Sequence, residues 1–351
     1  MTVTWDRALA WRADQQFLTA PARTAAEVVG RLISVPANSG DPELSVSIRL
    51  AAADRDAVAT ALASRELIAA YAFGGAVHLM TPAGAADVLA LRGASRQWER
   101  RTWQTFYELA PERWDELRTV VADALSAGPL TQSELAAAVA ARSGFAHLRE
   151  HFSHPSQTIL KPLAWQGVMS FGPRRDGTTT FQSLALQPGW PGLPEVDEAG
   201  PRMMAAYLTA YGPASRAQIH RWFTEGLSVP RRRVDAWLAS LGSTITQIDV
   251  DDASVSALTA TVPAVRAHEA SDDAHLLPGY DRWVFGPGTA EETIVPAAHR
   301  TVVSRGANVA VVGGRVRGTW RMEDGAANVA WFDPTRPPGG RGDADRPGAV
   351  T

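Results

Sequence analysis

The sequence predicts an α+β fold in which units of three helices and a two-stranded ribbon recur and a β-rich C-terminal region closes the chain. Three observations carry this. First, a phrase occurs twice, GPLTQSEL at Gly128–Leu135 and GPASRAQI at Gly212–Ile219, with a looser copy, PARTAAEV, at Pro21–Val28. Each copy sets Ser or Thr three residues before Glu or Gln, as Thr24/Glu27, Thr131/Glu134 and Ser215/Gln218. That is a capping box, in which the hydroxyl and the acid or amide satisfy orphan amides where a helix begins. Second, each box stands between helix-like segments. Third, hairpin cues follow each helical group.

Taken in order, Trp5–Leu18 reads as a helix, and the first box opens a second near Thr24–Leu32. Leu67–Phe73 and Ala76–Met80 form a ribbon around Gly74-Gly75. In the next unit Glu112–Ser126 precedes its box, Thr131–Ala141 follows it, and Pro155–Gln166 is a third helix. Proline near a helix start suits the first turn, where its missing N–H costs nothing. Gly167–Phe171 and Thr178–Leu184 then flank a Pro-Arg-Arg-Asp-Gly turn. The last unit repeats the order with Arg202–Tyr211, Ser215–Phe223, Pro230–Leu241 and a ribbon of Ser243–Val250 and Ser254–Val262. From 263 to 333 helix cues are few, and β runs fall at Arg282–Phe285, Asn308–Val312 and Arg315–Arg321, the last two joined by Gly313-Gly314.

Three helices followed by a ribbon make a winged helix, a variant of helix-turn-helix. The expected division is residues 1–95, 96–190 and 200–262 for three winged-helix units, 263–333 for the β-rich region and 334–351 for a disordered tail rich in Pro, Gly and charge. Arg341-Gly342-Asp343 in that tail is read as chance.

Composition narrows the function. The 351 residues are 45% hydrophobic, enough for several cores, and the net charge of −3 argues against a protein that coats polyanions generally. There is no cysteine, no apolar run of membrane-spanning length and no signal-peptide pattern at the start, so a cytoplasmic protein without a membrane span is expected. Lys161 is the only lysine; arginine carries nearly all the positive charge. No phosphate loop, nucleophile elbow or metalloprotease helix is present, and no cofactor is expected.

Helix-turn-helix folds meet DNA through the third helix, helix starts and the wing. Arg231, Arg232 and Arg233 open the third helix of the last unit and are candidate phosphate ligands. Arg92, Arg96 and Arg100, spaced by four, are expected on one helical face as a second basic group, with Trp98 and Trp103 in the core. His147, His151 and His154 lie at helical spacing, but Pro155 breaks the register after them; caps and surface positions are expected rather than a metal site.

The order of units is similar to that of the AlkZ/YcaQ-type winged-helix DNA glycosylases, bacterial enzymes that excise bulky alkylated or crosslinked purines. The resemblance spans about residues 5–333. It is most specific in LLPGYDRWVFG (Leu276–Gly286) and VVGGRVRGTWR (Val311–Arg321), with further likeness in Ala206–Phe223 and in the first wing, Leu67–Met80. It implies a catalytic Gln-x-Gln or Gln-x-Asp motif after the second helix. In LISVPANSGDP (Leu32–Pro42), Pro36 and Asn38 occupy the two motif positions, and Asp41 lies three residues on. Gly74 and Ala76 replace the family's common Arg and Thr in the wing, while His78 fits.

The resemblance implies a protein that binds double-stranded, damaged DNA, the departures from the motif imply catalysis diverged or lost, and three tandem units in one chain imply a monomer. His78 joins the arginines as a DNA-binding candidate. The alternatives are an active glycosylase that uses Asn38 or Asp41 to orient water against a developing sugar cation, and a non-catalytic protein-interaction scaffold.

Overall fold

A computed structural model of the chain describes residues 3–334, so all but the first position of the expected disordered tail lies outside the described residues. All three capping boxes form. In each, the hydroxyl of Thr24, Thr131 or Ser215 accepts the N–H of the residue three on, and that residue's side chain accepts the cap's own N–H. Replacing such a cap with alanine costs about 0.5–2 kcal/mol.

The helices opened this way are Ala25–Arg31, Gln132–Ala140 and Arg216–Arg221. They follow Trp5–Gln15, Arg113–Leu125 and Val196–Tyr211. The last starts ahead of the predicted Arg202 and carries Pro201 inside it. Arg231–Ser240 matches expectation, whereas the predicted Pro155–Gln166 shrinks to Leu160–Trp165, after a loop in which Gln157 takes a φ of 52°.

The chain packs as two compact units. One holds the residues up to Thr60, Met204–Phe223 and those from Arg231 on; the other holds Ala61–Met203 and Thr224–Pro230. The boundary at residue 60 thus falls inside the segment 1–95, separating its helices from its ribbon.

In the first of these, Trp5–Gln15 serves two cores at once. Ala8 and Trp11, three residues apart, join Val3, Ile248, Val250, Val255 and Val265 beside the ribbon Ile245–Val250/Ala253–Leu258. Leu9 and Ala13, four apart, join Leu277, Trp283, Val309, Val311 and Val316. Two apolar stripes on one helix need a packing partner for each, and the helix period supplies both. The second partner is a four-stranded antiparallel sheet in the order Ala326–Trp331, Arg315–Glu323, Val309–Val312 and Ala274–Leu277.

Two expectations are corrected here. Arg282–Phe285 is a short helix, not a strand, because Asp281 accepts the Trp283 N–H and caps it. The ribbon's second strand stops at Leu258, and Val262–Ala267 is helical, with Pro263 in its first turn.

In the other unit the two wings are not separate. Val77–Met80 pairs with Ile68–Tyr71, which pairs through Ala69 and Phe171 with Met169–Arg175; Thr178–Ser183 and Leu130–Thr131 follow, all antiparallel. Phe181, Phe145, Phe152 and Trp114 are fully buried in this unit. Among the described residues, no helix is long and apolar enough to cross a membrane. Tandem winged-helix units followed by a C-terminal sheet are the architecture of this chain.

Candidate functional site

The loop after Ala25–Arg31 holds the candidate catalytic positions. Val35–Pro36 is a two-residue strand, and Asn38 is exposed, its amide without a hydrogen-bond partner among the described residues. The loop then turns at Gly40, with φ 73°, and a Cβ there would sit 1.9 Å from the Gly279 carbonyl oxygen. Glycine is required at this point both by backbone conformation and by close approach.

Asp41 is occupied. One carboxylate oxygen accepts the Leu44 N–H at 2.8 Å and caps Pro42–Ser47, and the other meets Arg55 Nη2 at 2.8 Å. Both oxygens hold structure, so Asp41 is a poor candidate for orienting water. Asn38 keeps an unengaged amide that can hydrogen bond but cannot accept a proton as a carboxylate would.

Beneath the loop lies a network that the sequence did not reveal. Arg49 and Asp281, both with fully buried side chains, form a two-pronged ion pair at 2.7 and 2.8 Å. Ser45 Oγ donates to Asp281 at 2.6 Å, and Arg49 donates to the Ser45 and Gln16 carbonyls. Burial alone would raise the Asp281 pKa. The Arg49 charge and the hydrogen bonds from Arg49, Ser45 and the Trp283 N–H outweigh it and hold that pKa below the usual aspartate range.

Gly279 continues the same contact, since a Cβ there would lie 2.0 Å from the Gly306 carbonyl oxygen. Arg282, next to Asp281, donates to Tyr211 Oη at 3.3 Å, and Tyr211 donates to the Leu32 carbonyl at 2.5 Å. The LLPGYDR block is thus the seat of the loop from both ends. The block itself stood out in the sequence; its partner Arg49, 232 residues away, did not.

The other candidates divide sharply. His78 is buried in Val77–Met80, its Nδ1 3.1 Å from the Ala76 carbonyl oxygen and its ring 5.3 Å from that of Phe73. These contacts give it a structural place under the first wing. The expected basic face at Arg92, Arg96 and Arg100 does not exist. The helix Pro82–Gly93 ends before it, because Gly93 abuts the Trp165 carbonyl oxygen and Arg96 turns to a φ of 42°.

Arg92 is buried, bonded to Ser95 at 2.9 Å and Gln97 at 2.8 Å and set over the Trp165 ring. Burial, aided by the Arg100 charge, lowers its pKa to about 10. Arg96 pairs with Glu99, while Arg100 is exposed and precedes the helix Arg101–Tyr107. Trp98 is buried as expected, and Trp103 is half-buried.

Arg231 and Arg232 are exposed at the start of Arg231–Ser240, and neither is ion-paired among the described residues. Arg233 is half-buried, 5.9 Å from the Trp237 ring centre. Asp235, the nearest acid in the helix, is taken up by Arg216 at 2.7 Å and His220 at 2.6 Å. This leaves the helix start cationic, beside amides that favour anions.

His147, His151 and His154 do not share a helix face. They fall on a 3₁₀ turn, on Arg149–Ser153 and on its C-cap, and among the described residues no group of three or more His, Asp or Glu is placed to hold a metal.

Comparison with known proteins gives a consistent answer. Residues 7–342 match the family described as DNA glycosylase AlkZ-like. The chain is 35% identical over 345 residues to an interstrand DNA cross-link repair glycosylase of Streptomyces sahachiroi, covering 95% of this chain and 92% of that protein. The solved structure of the Streptomyces sahachiroi DNA glycosylase AlkZ superposes with a TM-score of 0.89 at 34% identity, over 95% of this chain and 92% of the other.

Proposed function

The chain belongs to the AlkZ-like DNA glycosylase family, and we propose that it is a DNA-binding protein of that family whose base-excision chemistry has diverged. The observation that carries this reading is the loop of residues 36–41. Proline stands at the first motif position, where no side-chain hydrogen bond is available, and Asp41 is bound into a cap and an ion pair. Its partner is double-stranded DNA with bulky purine damage, engaged by a monomer whose three winged helices span residues 1–95, 96–190 and 200–262.

Arg231 and Arg232 contribute phosphate contacts, with Arg233 and Arg100 as further candidates; the burial of Arg92 and His78 favours a scaffold role for those two. Affinity for a duplex then falls as salt rises, because bound phosphates release counterions. Replacing Arg231 and Arg232 with alanine is expected to weaken binding to all sequences alike and to flatten the log–log salt slope by about 1 per lost contact. Unchanged affinity and slope would remove these residues from the interface. A duplex titration with no binding at low salt would leave the scaffold reading.

A second reading is an active glycosylase, favoured by the exposed and unengaged amide of Asn38 on a loop with a fully built seat. An alkylated purine leaves as a neutral base from a cationic substrate, so a single amide that places water is a coherent remnant of catalysis. Release of a modified base that is lost in Asn38→Ala would establish it.

A further inference from the structure

A cleft of about 400 Å³ lies outside the motif loop and the basic helix start. Its walls are aromatic: Trp103, Phe106 and Tyr107 come from Arg101–Tyr107, and His151 comes from Arg149–Ser153. The Phe106 ring lies 4.9 Å from that of Tyr107 and 5.2 Å from that of His151, and Tyr107 lies 4.8 Å from His151. Phe106 is nonetheless 65% exposed, the most exposed of the large hydrophobic side chains in the described chain. A phenyl ring that packs on one side only and faces water on the other offers a free stacking face.

The polar lining is ordered. His154 Nδ1 accepts the Ser156 N–H at 3.1 Å and lies 2.8 Å from Ser156 Oγ, to which Thr158 donates at 3.0 Å. With Nδ1 engaged by Ser156, Nε2 is the ring nitrogen of His154 left for a ligand. Desolvation, with His147 and His154 adding to it, lowers the His151 pKa against the opposing pull of Glu150 and Glu108. A lining of aromatic rings with hydroxyl and imidazole groups and no arginine or lysine suits a neutral planar ring. The positive charge lies on the same two elements, where Arg100, Arg101 and Arg149 are exposed and not ion-paired among the described residues.

We propose that this cleft receives one unstacked nucleobase of a DNA single strand, stacked on Phe106, with the neighbouring phosphates held by Arg100 and Arg101. In a duplex both faces of each base are covered, so the site reads a base that has left the stack. Aromatic platforms beside arginines bind single strands in this way. The inference rests on the DNA-binding reading above and adds a strand preference to it.

The test compares the whole chain with its Phe106→Ala and Phe106→Tyr variants by fluorescence anisotropy, using labelled 12-nucleotide oligodeoxythymidine, an abasic strand of equal length and a duplex. Removing the ring is expected to weaken oligodeoxythymidine binding roughly 5- to 150-fold, as stacking of one base predicts. Phe106→Tyr should retain it, and the abasic strand should bind wild type and Phe106→Ala alike. Equal affinity of wild type for the thymidine and abasic strands, with duplex binding intact, overturns the base site alone. Free thymidine competing as strongly as the oligonucleotide overturns it in favour of a small-molecule pocket. Failure to bind any of the three DNAs overturns the DNA-binding reading with it.

Discussion

The two ends of the motif loop are built on opposite terms. At its inner end, Ser45 and Arg49 meet the buried Asp281, and the exposed Gly40 abuts the Gly279 carbonyl, in contacts that admit almost no substitution. At its tip, Asn38 is exposed and makes no hydrogen bond among the described residues, and Pro36 and Asn38 stand at the two positions of the Gln-x-Gln or Gln-x-Asp motif that the family resemblance implies. Seat and tip face different constraints. The seat is fixed by folding, since one unpaired partner would strand a charge in the interior, whereas the tip is fixed only by chemistry and is free to change once the chemistry does.

Substitutions at the seat should therefore act on stability, and those at the tip on chemistry alone. The largest effect is expected for Asp281→Asn, which leaves Arg49 buried without its counter-charge and should cost about 3–5 kcal/mol in denaturant unfolding. Its pH dependence follows from the depressed Asp281 pKa. A carboxyl that titrates lower in the folded than in the unfolded chain contributes fully above the unfolded value of about 4, and that contribution is lost as pH falls through the folded value. Wild type should lose this increment on acidification below about pH 4, and the asparagine variant should have no such increment to lose. A variant as stable as wild type at pH 7 would break the contrast.

Gly279→Ala comes next. Its Cβ would press on the Gly306 backbone, and overpacking of this kind costs about 1–3 kcal/mol. Hydrogen exchange should also rise in residues 36–41; unchanged exchange there would mean that the block does not seat the loop. Asp41→Ala removes a cap and an exposed ion pair, for about 0.5–2 kcal/mol in the same unfolding measurement. Asn38→Ala is expected to stay within about 0.5 kcal/mol of wild type. A larger loss would show that the tip carries structure after all.

Much of this was legible in the sequence, and what was missed has a physical pattern. The capping boxes are local, four residues end to end, and all three formed where the spacing placed them. The Gly313-Gly314 hairpin, equally local, also formed. Arg92, Arg96 and Arg100 misled because spacing by four implies a common face only while the helix continues, and tight packing of Gly93 on Trp165 ends it. The Arg282–Phe285 run carries strand-favouring residues, but an aspartate cap decided its conformation. The Arg49–Asp281 pair, the pairing of the two wings and the aromatic cleft depend on residues distant in sequence. No periodicity announces them.

On the proposed reading, the chain keeps the family's fold while the residues at the motif positions of its catalytic loop have diverged. The most direct measurement is release of modified purine from N7-alkylated duplex DNA under enzyme excess, at a protein concentration shown by titration of the same DNA to saturate binding. Salt-dependent saturation is expected, with release no faster than in protein-free DNA. Rapid release that disappears in Asn38→Ala would contradict the proposed reading and make this protein a working glycosylase.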